Sequence, residues 1–366
     1  MTGIAILEKL TQNSREALAE SRIYNFEMHS RFLAFVVLFL LASGESLPGK
    51  PHPQSNPTPE ICAACVRADL GFLASDELHG RGSGTRDEHL AALYAASLFQ
   101  SFGLEPAGEN GYIQRAPLPD PFPARLQEYL KKHGFDQNQR TDTWNALGLL
   151  RGSDPQAGKE VILLTAHLDH LGLGEAVNGD SIYNGADDDA SGTTAVLELA
   201  RSLSHGPRPK RSILFVLFGS EELGGYGNAY FLEHPPVALT QIVANLEFEM
   251  IGRPDPALKA KTLWLTGYER SNLGPTLAQH GAAISADPHP DEHFFQRSDN
   301  FALAKRGIVA QTVSSFGLHK DYHQPSDDLA HIDFDFVTHS INSMIEPVRW
   351  LADTTWRPEW NAGGKP

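Results

Sequence analysis

Four short apolar runs between residues 161 and 313 predict buried β-strands. They are VILLT (161–165), SILFVLF (212–218), IVANLEF (242–248) and GIVAQTV (307–313), and such runs are typical of strands covered on both faces. Helical stretches separate them, the clearest at 193–203, which Gly206 ends. Strands that alternate with helices predict an α/β fold: a three-layer sandwich with a mostly parallel central sheet covered by helices on both faces.

A further helix is predicted near the start of the folded part. From Asp87 onward an apolar residue recurs at every fourth position, and Gly103 follows as a stop signal. The recurring residues are Leu90, Tyr94, Leu98 and Phe102. Segment 116–142 is rich in proline and then in charge, which is typical of a surface excursion. Because no internal repeat is present, we predict a single domain over 61–356, followed by a tail at 357–366.

The N-terminal region contains a segment that is typical of a secretory signal. Arg31 precedes an apolar run at 32–42, which ends in small residues at 42–44 and is shorter than the roughly 20 residues that span a bilayer. The 27 residues before Met28 do not fit a signal, so we predict that translation starts at Met28. A buried helix or a membrane anchor is the alternative. We therefore predict a signal-like extension at 1–44, a Pro-rich linker at 45–60, export to the periplasm or medium, and no stable membrane span after cleavage.

Composition and charge limit the classes of partner and of metal site that the protein can have. The 366 residues carry a formal net charge of −15 from 30 basic and 45 acidic side chains, which argues against a nucleic-acid partner because phosphate binding needs clustered Lys and Arg. The two cysteines, Cys62 and Cys65, are too few for a four-cysteine zinc site. We expect a local disulfide or two free thiols there, without a catalytic role.

Polar residues that bind metals follow each predicted strand. AHLDH, GSEELGG and EMIGR come after the first three strands, GADDDASG (185–192) precedes a helix, and DYHQPSDD lies further on. In open α/β sheets, ligands bind beyond the carboxyl ends of the strands. Imidazoles and carboxylates are the ligands that zinc prefers. The carboxylates exceed what one tetrahedral zinc needs, so the pattern indicates two ions that share a bridging aspartate.

In these motifs the chain resembles the co-catalytic zinc aminopeptidase family, which also contains glutamate carboxypeptidase relatives and glutaminyl cyclases. LASDELHGRGSGT (73–85), NALGLLRGSDP (145–155) and HFFQRSDNFALAKRGI (293–308) are similar to secreted bacterial members. The resemblance covers most of the chain after the linker and implies a zinc exopeptidase-like fold with two Zn²⁺ per chain. The residues that it assigns to the two ions are His167, Asp188, Glu222, Glu249 and His323.

The resemblance also implies individual roles. Asp188 bridges the ions, Glu222 and His323 share one of them, and Glu249 completes the other. Asp169 orients His167, and Glu221 is the general base. For Tyr322 two readings stay open: a hydrogen bond to the developing oxyanion, or a packed aromatic ring.

One residue departs from the family pattern. The position before Met250 is usually Asp in the family and is Glu249 here, which leaves Mn²⁺ or Co²⁺ open beside zinc. Glu247 lies on the same face of the predicted strand and is a rival ligand.

Several other polar residues lie in or near these motifs. Ser298 and Asp299 either line the site or, for Asp299, cap the next helix. Asp327 is expected to brace the loop of His323. We expect no ligand role for the further histidines His79, His170 and His319, and Ser191 lacks the surroundings of a hydrolase nucleophile.

The sequence thus predicts a metal-dependent exopeptidase that acts on peptides, most simply an aminopeptidase. A carboxypeptidase and a glutaminyl cyclase-like acyltransferase on the same fold remain alternatives, as does a binding module without catalysis. The residues do not indicate the preferred terminal residue or the oligomeric state.

Overall fold

A computed structural model describes residues 58–135 and 140–366. The predicted signal, the start at Met28 and most of the linker lie outside these residues. The strands are β1 Glu105–Pro106, β2 Ile113–Pro117, β3 Asp142–Leu150, β4 Val161–His167, β5 Gly172–Val177, β6 Asp180–Tyr183, β7 Ser212–Phe218, β8 Ile242–Phe248, β9 Leu263–Leu265, β10 Ile284–Ala286 and β11 Ala310–Ser314. The helices are α1 Ala63–Leu73, α2 Arg86–Ser101, α3 Ala124–Lys132, α4 Gly192–His205, α5 Tyr226–Glu233, α6 Leu273–Gln279, α7 Asn300–Lys305 and α8 Phe334–Asp353.

The four apolar runs form the parallel centre of the sheet. β4 pairs in parallel with β7 on one side and with β8 on the other, and β11 continues in parallel beside β8. Every residue of these four strands is buried. Because parallel strands end at the same edge, the loops that follow them meet there.

Antiparallel pairs extend this centre at both edges. β3 is antiparallel to β7 and carries β1 and β2, whereas β9 is antiparallel to β11 and carries β10. The sequence does not predict these flanking strands: β1, β9 and β10 have two or three residues each. The mostly parallel α/β sheet is confirmed.

Helices cover both faces, as the alternation of side chains along the strands requires. In β7, Ile213 and Phe215 join a cluster with α1, α2, α4 and α8. Leu214 and Val216, which alternate with them and point to the opposite face, join a second cluster with α5 and α7. The sheet therefore has an apolar core on each side.

The N-terminal part contributes two helices. Cys62 and Cys65 form a disulfide at the start of α1, where Cys62 Sγ accepts the N–H of Cys65. The helix predicted from Asp87 is α2, which Thr85 caps through the N–H of Glu88. Within the two described ranges, no helix combines the length and apolar character needed to cross a membrane. The domain boundaries stay a prediction.

Candidate metal centre

The residues predicted to bind metal meet at the carboxyl edge of the parallel strands. His167 is the last residue of β4, Glu249 follows β8 directly, and Glu222 lies in the turn after β7. Asp188 lies in the segment Ala186–Ser191, just before α4, at a kink where its backbone is not helical (φ −103°, ψ 96°). His323 comes from the loop between β11 and α8. The sheet thus gathers side chains that are far apart along the chain.

The two oxygens of Asp188 face two different imidazoles. Oδ1 lies 3.1 Å from His167 Nε2, and Oδ2 lies 3.2 Å from His323 Nε2. His323 Nε2 is also 3.3 Å from Glu222 Oε2. Two atoms bound to one tetrahedral zinc at about 2.0–2.1 Å lie roughly 3.3 Å apart, so these distances fit ligands that share a cation.

A second set of atoms includes Glu249. His167, Asp188 and Glu249 each offer a ligand atom, and these atoms lie within 4.8 Å of one another. His167 Nε2 is buried and has no hydrogen-bond partner among the described residues. A buried imidazole nitrogen without a partner costs free energy, and a cation between these three residues would remove that cost. The donor set therefore fits a divalent metal ion.

One neighbour of the site was not predicted as a ligand. His170 Nδ1 lies 2.9 Å from Glu222 Oε1 and 4.0 Å from Asp188 Oδ2, and the three residues form another group that could hold an ion. The motif HLDH placed His170 in the loop after β4, but sequence spacing does not say which way a ring points. By contrast, His79 is half-exposed and pairs with Asp87 at 3.2 Å.

The aspartates beside Asp188 hold the main chain. Asp189 accepts the N–H groups of His167 at 3.3 Å, Gly192 at 3.0 Å and Met250 at 3.1 Å. This carboxylate ties the end of β4, the start of α4 and the segment after β8 to one point. Three adjacent acids thus have separate tasks, because only the middle one faces the imidazoles of His167 and His323.

Asp187 and Asp327 complete this scaffold. Asp187 Oδ1 accepts the N–H of Gly252 at 2.7 Å, and its Oδ2 lies 2.9 Å from His319 Nε2. Asp327 Oδ2 accepts the N–H of Asp188 at 3.0 Å, so it braces the turn that carries Asp188. Ser191 Oγ donates to the Asp187 carbonyl, an anchoring contact.

Asp169 is buried and connects two loops. Its main-chain carbonyl lies 3.2 Å from His167 Nδ1, whereas its carboxylate is 3.8 Å from the same nitrogen. The carboxylate accepts the N–H groups of Glu221 at 3.0 Å and Glu222 at 3.3 Å. The orientation of His167 thus comes from the carbonyl, and the carboxylate fixes the loop after β7.

The acids of the site have strongly shifted pKa values in the absence of a cation. Burial raises the pKa of Glu221 well above its usual range, and burial likewise raises that of Glu249 to about 7. Burial opposes ionisation of Glu222 too, but His323 and His170 together outweigh it and lower the pKa of Glu222 to about 2. Shifted acids in a cleft are typical of catalytic sites.

A narrow cleft opens beside Glu249. Its apolar wall consists of Met250, Trp264, Phe294, Phe316 and Tyr322. Tyr322 stacks on His323, with ring centroids 3.9 Å apart.

Ser298 and Asp299 also lie beside this centre. Ser298 lines the apolar cleft and a neighbouring one that contains Glu221 and Asp299. Asp299 does not cap α7 with its side chain and instead accepts a hydrogen bond from Asn228 Nδ2 at 2.9 Å. The capping alternative for Asp299 is therefore wrong.

Residues 145–347 match the sequence profile of Peptidase family M28. The chain belongs to this family. This M28 chain is 31% identical over 285 residues to leupeptin-inactivating enzyme 1 of Streptomyces exfoliatus, which covers 75% of the chain and 55% of the relative. It is 23% identical over 215 residues to a vacuolar membrane protease of Sclerotinia sclerotiorum, covering 58% of the chain and 19% of the relative. The chain thus spans about half or less of the length of these relatives.

Solved structures share the fold of this M28 chain. A zinc aminopeptidase from Bacillus subtilis aligns with a TM-score of 0.63 at 16% identity, over 85% of this chain and 98% of that one. A glutaminyl cyclase from Porphyromonas gingivalis aligns with a TM-score of 0.55 at 18% identity, over 79% and 98%. Because both activities occur on this fold, the fold does not separate them.

Proposed function

We propose that this M28 chain is a zinc-dependent exopeptidase, an aminopeptidase that hydrolyses the first peptide bond of peptides. The observation that carries the proposal is Asp188, whose two oxygens face His167 and His323 at 3.1 and 3.2 Å. That arrangement suits a carboxylate bridging two ions. Of the remaining residues, Glu249 belongs to the ion of His167, and Glu222 to the ion of His323. Mn²⁺ or Co²⁺ in place of zinc is a variant of the same proposal.

Bound zinc acts as a Lewis acid and lowers the pKa of water from 15.7 to about 7. Glu221 accepts the proton of the attacking water and passes it to the leaving amine. Burial raises the pKa of Glu221, and a buried acid with a shifted pKa in a cleft is typical of a residue that exchanges protons in catalysis. The hydrogen bond from the Glu221 N–H to Asp169 holds the base in its turn.

The walls of the cleft support recognition of a peptide terminus. The apolar wall suits the side chain of a terminal residue, and we assign to the hydroxyl of Tyr322, which lines the same cleft, a hydrogen bond to the oxyanion. Asp299 brings an acidic side chain to the cleft that contains Glu221, which favours a free α-ammonium over a carboxylate. Arg297, which also lines both clefts, is paired with Glu292 at 3.3 Å.

Export of the protein belongs to the same proposal. The disulfide between Cys62 and Cys65 supports it, because disulfides persist in oxidising compartments such as the periplasm and the cell exterior. The signal-like segment at 32–42 supports it from the sequence.

The test is mass spectrometry of a short peptide incubated with the zinc-loaded protein, beside twins blocked at the N- or C-terminus. We expect the free and C-blocked peptides to lose their first residue and the N-blocked twin to survive. Survival of the C-blocked twin alone would make the protein a carboxypeptidase. Loss of ammonia from a peptide that begins with Gln, without cleavage, would make it a cyclase.

A further inference from the structure

His170 is buried within the site, and its ring nitrogens lack the hydrogen bonds that buried imidazole nitrogens normally make with neighbouring residues. Neither Nδ1 nor Nε2 has a hydrogen-bond partner among the described residues, and the ring has no exposed surface. Glu222 Oε1 approaches Nδ1 to 2.9 Å, yet the pair does not meet hydrogen-bond geometry. His167 shows the same combination: a buried nitrogen, an aspartate oxygen at 3.1 Å and no hydrogen bond. Two atoms that both point at a cation, rather than at each other, produce this pattern.

The main chain holds His170 rigidly on both sides. Its N–H donates to the carbonyl of Arg81 at 3.2 Å, and its carbonyl accepts the N–H of Ser83 at 3.3 Å. The guanidinium of Arg81 donates to four further carbonyls, those of Leu73, Leu168, Asn184 and Gly185. The loop after β4 is thus fastened to the turn that carries Asp188, and the ring is fixed relative to the metal centre.

Gly185 provides the space for this ring. A Cβ added at Gly185 would lie 2.5 Å from His170 Cγ and 2.2 Å from the carbonyl oxygen of Asp188, and the residue has φ of +60°. Both the missing side chain and the left-handed backbone are therefore needed for the imidazole to approach Glu222.

We propose that His170 is a further ligand of the ion held by Asp188, Glu222 and His323, bound through Nδ1. The inference rests on the proposed function and deepens it. The rings of His170 and His323 lie at 74° with centroids 5.7 Å apart, so they reach the shared carboxylates from different directions. This ion then has four side-chain ligands, and the ion of His167, Asp188 and Glu249 has three.

The two ions consequently differ in their roles. Four side chains fill a tetrahedral shell, which is typical of structural zinc, whereas three leave a position open for water or substrate, which is typical of catalytic zinc. We infer that the four-ligand ion binds more tightly and is removed last by a chelator. The three-ligand ion, beside the cleft and Glu249, is the one that contacts the scissile carbonyl.

The test compares the zinc content of three variants with that of the wild type after dialysis against zinc buffered by a chelator. H170N keeps a group that can hydrogen-bond Glu222 from the Nδ1 position but is a poor ligand, and H170F fills the volume without nitrogen. H319N is the matched control, because His319 contacts Asp187 and lies outside the proposed ligand set. Thermal unfolding with excess chelator shows whether each variant folds.

We expect H170N and H170F to lose affinity for the tight ion by more than the 10–100-fold that substitution of an outer-shell partner costs, whereas H319N keeps both ions. A two-ion wild type whose H170N variant retains both ions would overturn this inference alone, since His170 would then only orient Glu222. A wild-type chain that takes up fewer than two ions would overturn the proposed function and this inference together.

A crystal structure of the zinc-loaded wild type decides the matter even if the variants fail to fold. We expect Nδ1 of His170 at about 2.0–2.1 Å from the ion. Two bound ions with Nδ1 beyond about 3 Å of both, well outside a Zn–N bond, would contradict the ligand role and leave the proposed function standing.

Discussion

The carboxylate of Asp169 accepts the main-chain N–H of Glu221 at 3.0 Å. This contact fastens the loop after β4 to the loop after β7, so the proposed base is positioned through the backbone and its side chain stays free. A general base needs that freedom, because it must receive a proton and release it again.

Replacement of Glu221 by Gln tests the base. We expect Glu221→Gln to keep its zinc and to lose about 10²–10⁴-fold in kcat, the range typical of general acid–base catalysis. Steady-state kinetics and zinc content measured on the same preparation check this. Glu222→Gln is the control, since it is expected to lose metal as well as activity. Turnover at the wild-type level in Glu221→Gln would remove that residue from the mechanism.

Matched substitutions at Glu249 and Glu247 test which of these two residues binds the metal. Glu249 belongs to a candidate ion group, whereas Glu247 is fully buried and burial raises its pKa well above the usual range. We expect Glu249→Gln to lose one ion and Glu247→Gln to keep both, because burial disfavours the charged form of Glu247 that would bind a cation. Zinc titration of the two variants measures this, and the opposite result would exchange their roles.

A substitution at Tyr322 distinguishes its two possible roles, a hydrogen-bond donor to the oxyanion or a packed aromatic ring. Burial raises its pKa, so its hydroxyl keeps its proton through neutral and mildly alkaline pH. We expect Tyr322→Phe to lower kcat by about 10²–10³-fold, the typical loss for one oxyanion-hole donor, with zinc content and KM little changed. An unchanged kcat would leave the ring with only its stacking on His323.

Asp69 lies outside the metal centre, and its ionisation makes the free energy of unfolding depend on pH. This buried residue of α1 accepts the hydroxyl of Tyr94 at 2.7 Å, and burial raises its pKa to about 6. A raised pKa stabilises the fold below the unfolded-state pKa, and this contribution is lost as the pH rises through about 6.

We therefore expect Asp69→Asn to raise the free energy of unfolding at pH 8 by on the order of 2–3 kcal/mol. The difference from wild type should vanish below about pH 4, because Asp69 is then protonated in both states. Urea unfolding at both pH values, with the metal content held equal, provides the measurement. An equal effect at both pH values would mean that the Asn acts through packing instead of charge.

The sequence predicts the parallel centre and the gathering of ligands because both follow from local patterns. Long apolar runs report burial on two faces, and polar residues after them share an edge once the strands are parallel. The edge strands β9 and β10 cannot be predicted from the sequence, because three residues are too few to show the alternation of apolar and polar side chains that marks a strand. The role of Asp189 cannot be predicted either, because a partner such as the N–H of Met250 is distant in the sequence and comes close only in the folded chain. His170 escapes because its direction depends on Gly185, fifteen positions further along the chain.

The spread of the ligands along the chain has a consequence for biosynthesis. His167 leaves the ribosome long before His323, and the sheet that unites them needs β11, near the end of the described residues. A nascent or half-translocated chain therefore lacks the complete centre. If the site acts as proposed, the cell that makes this protein is shielded from its hydrolytic activity until the segment that carries His323 has been synthesised.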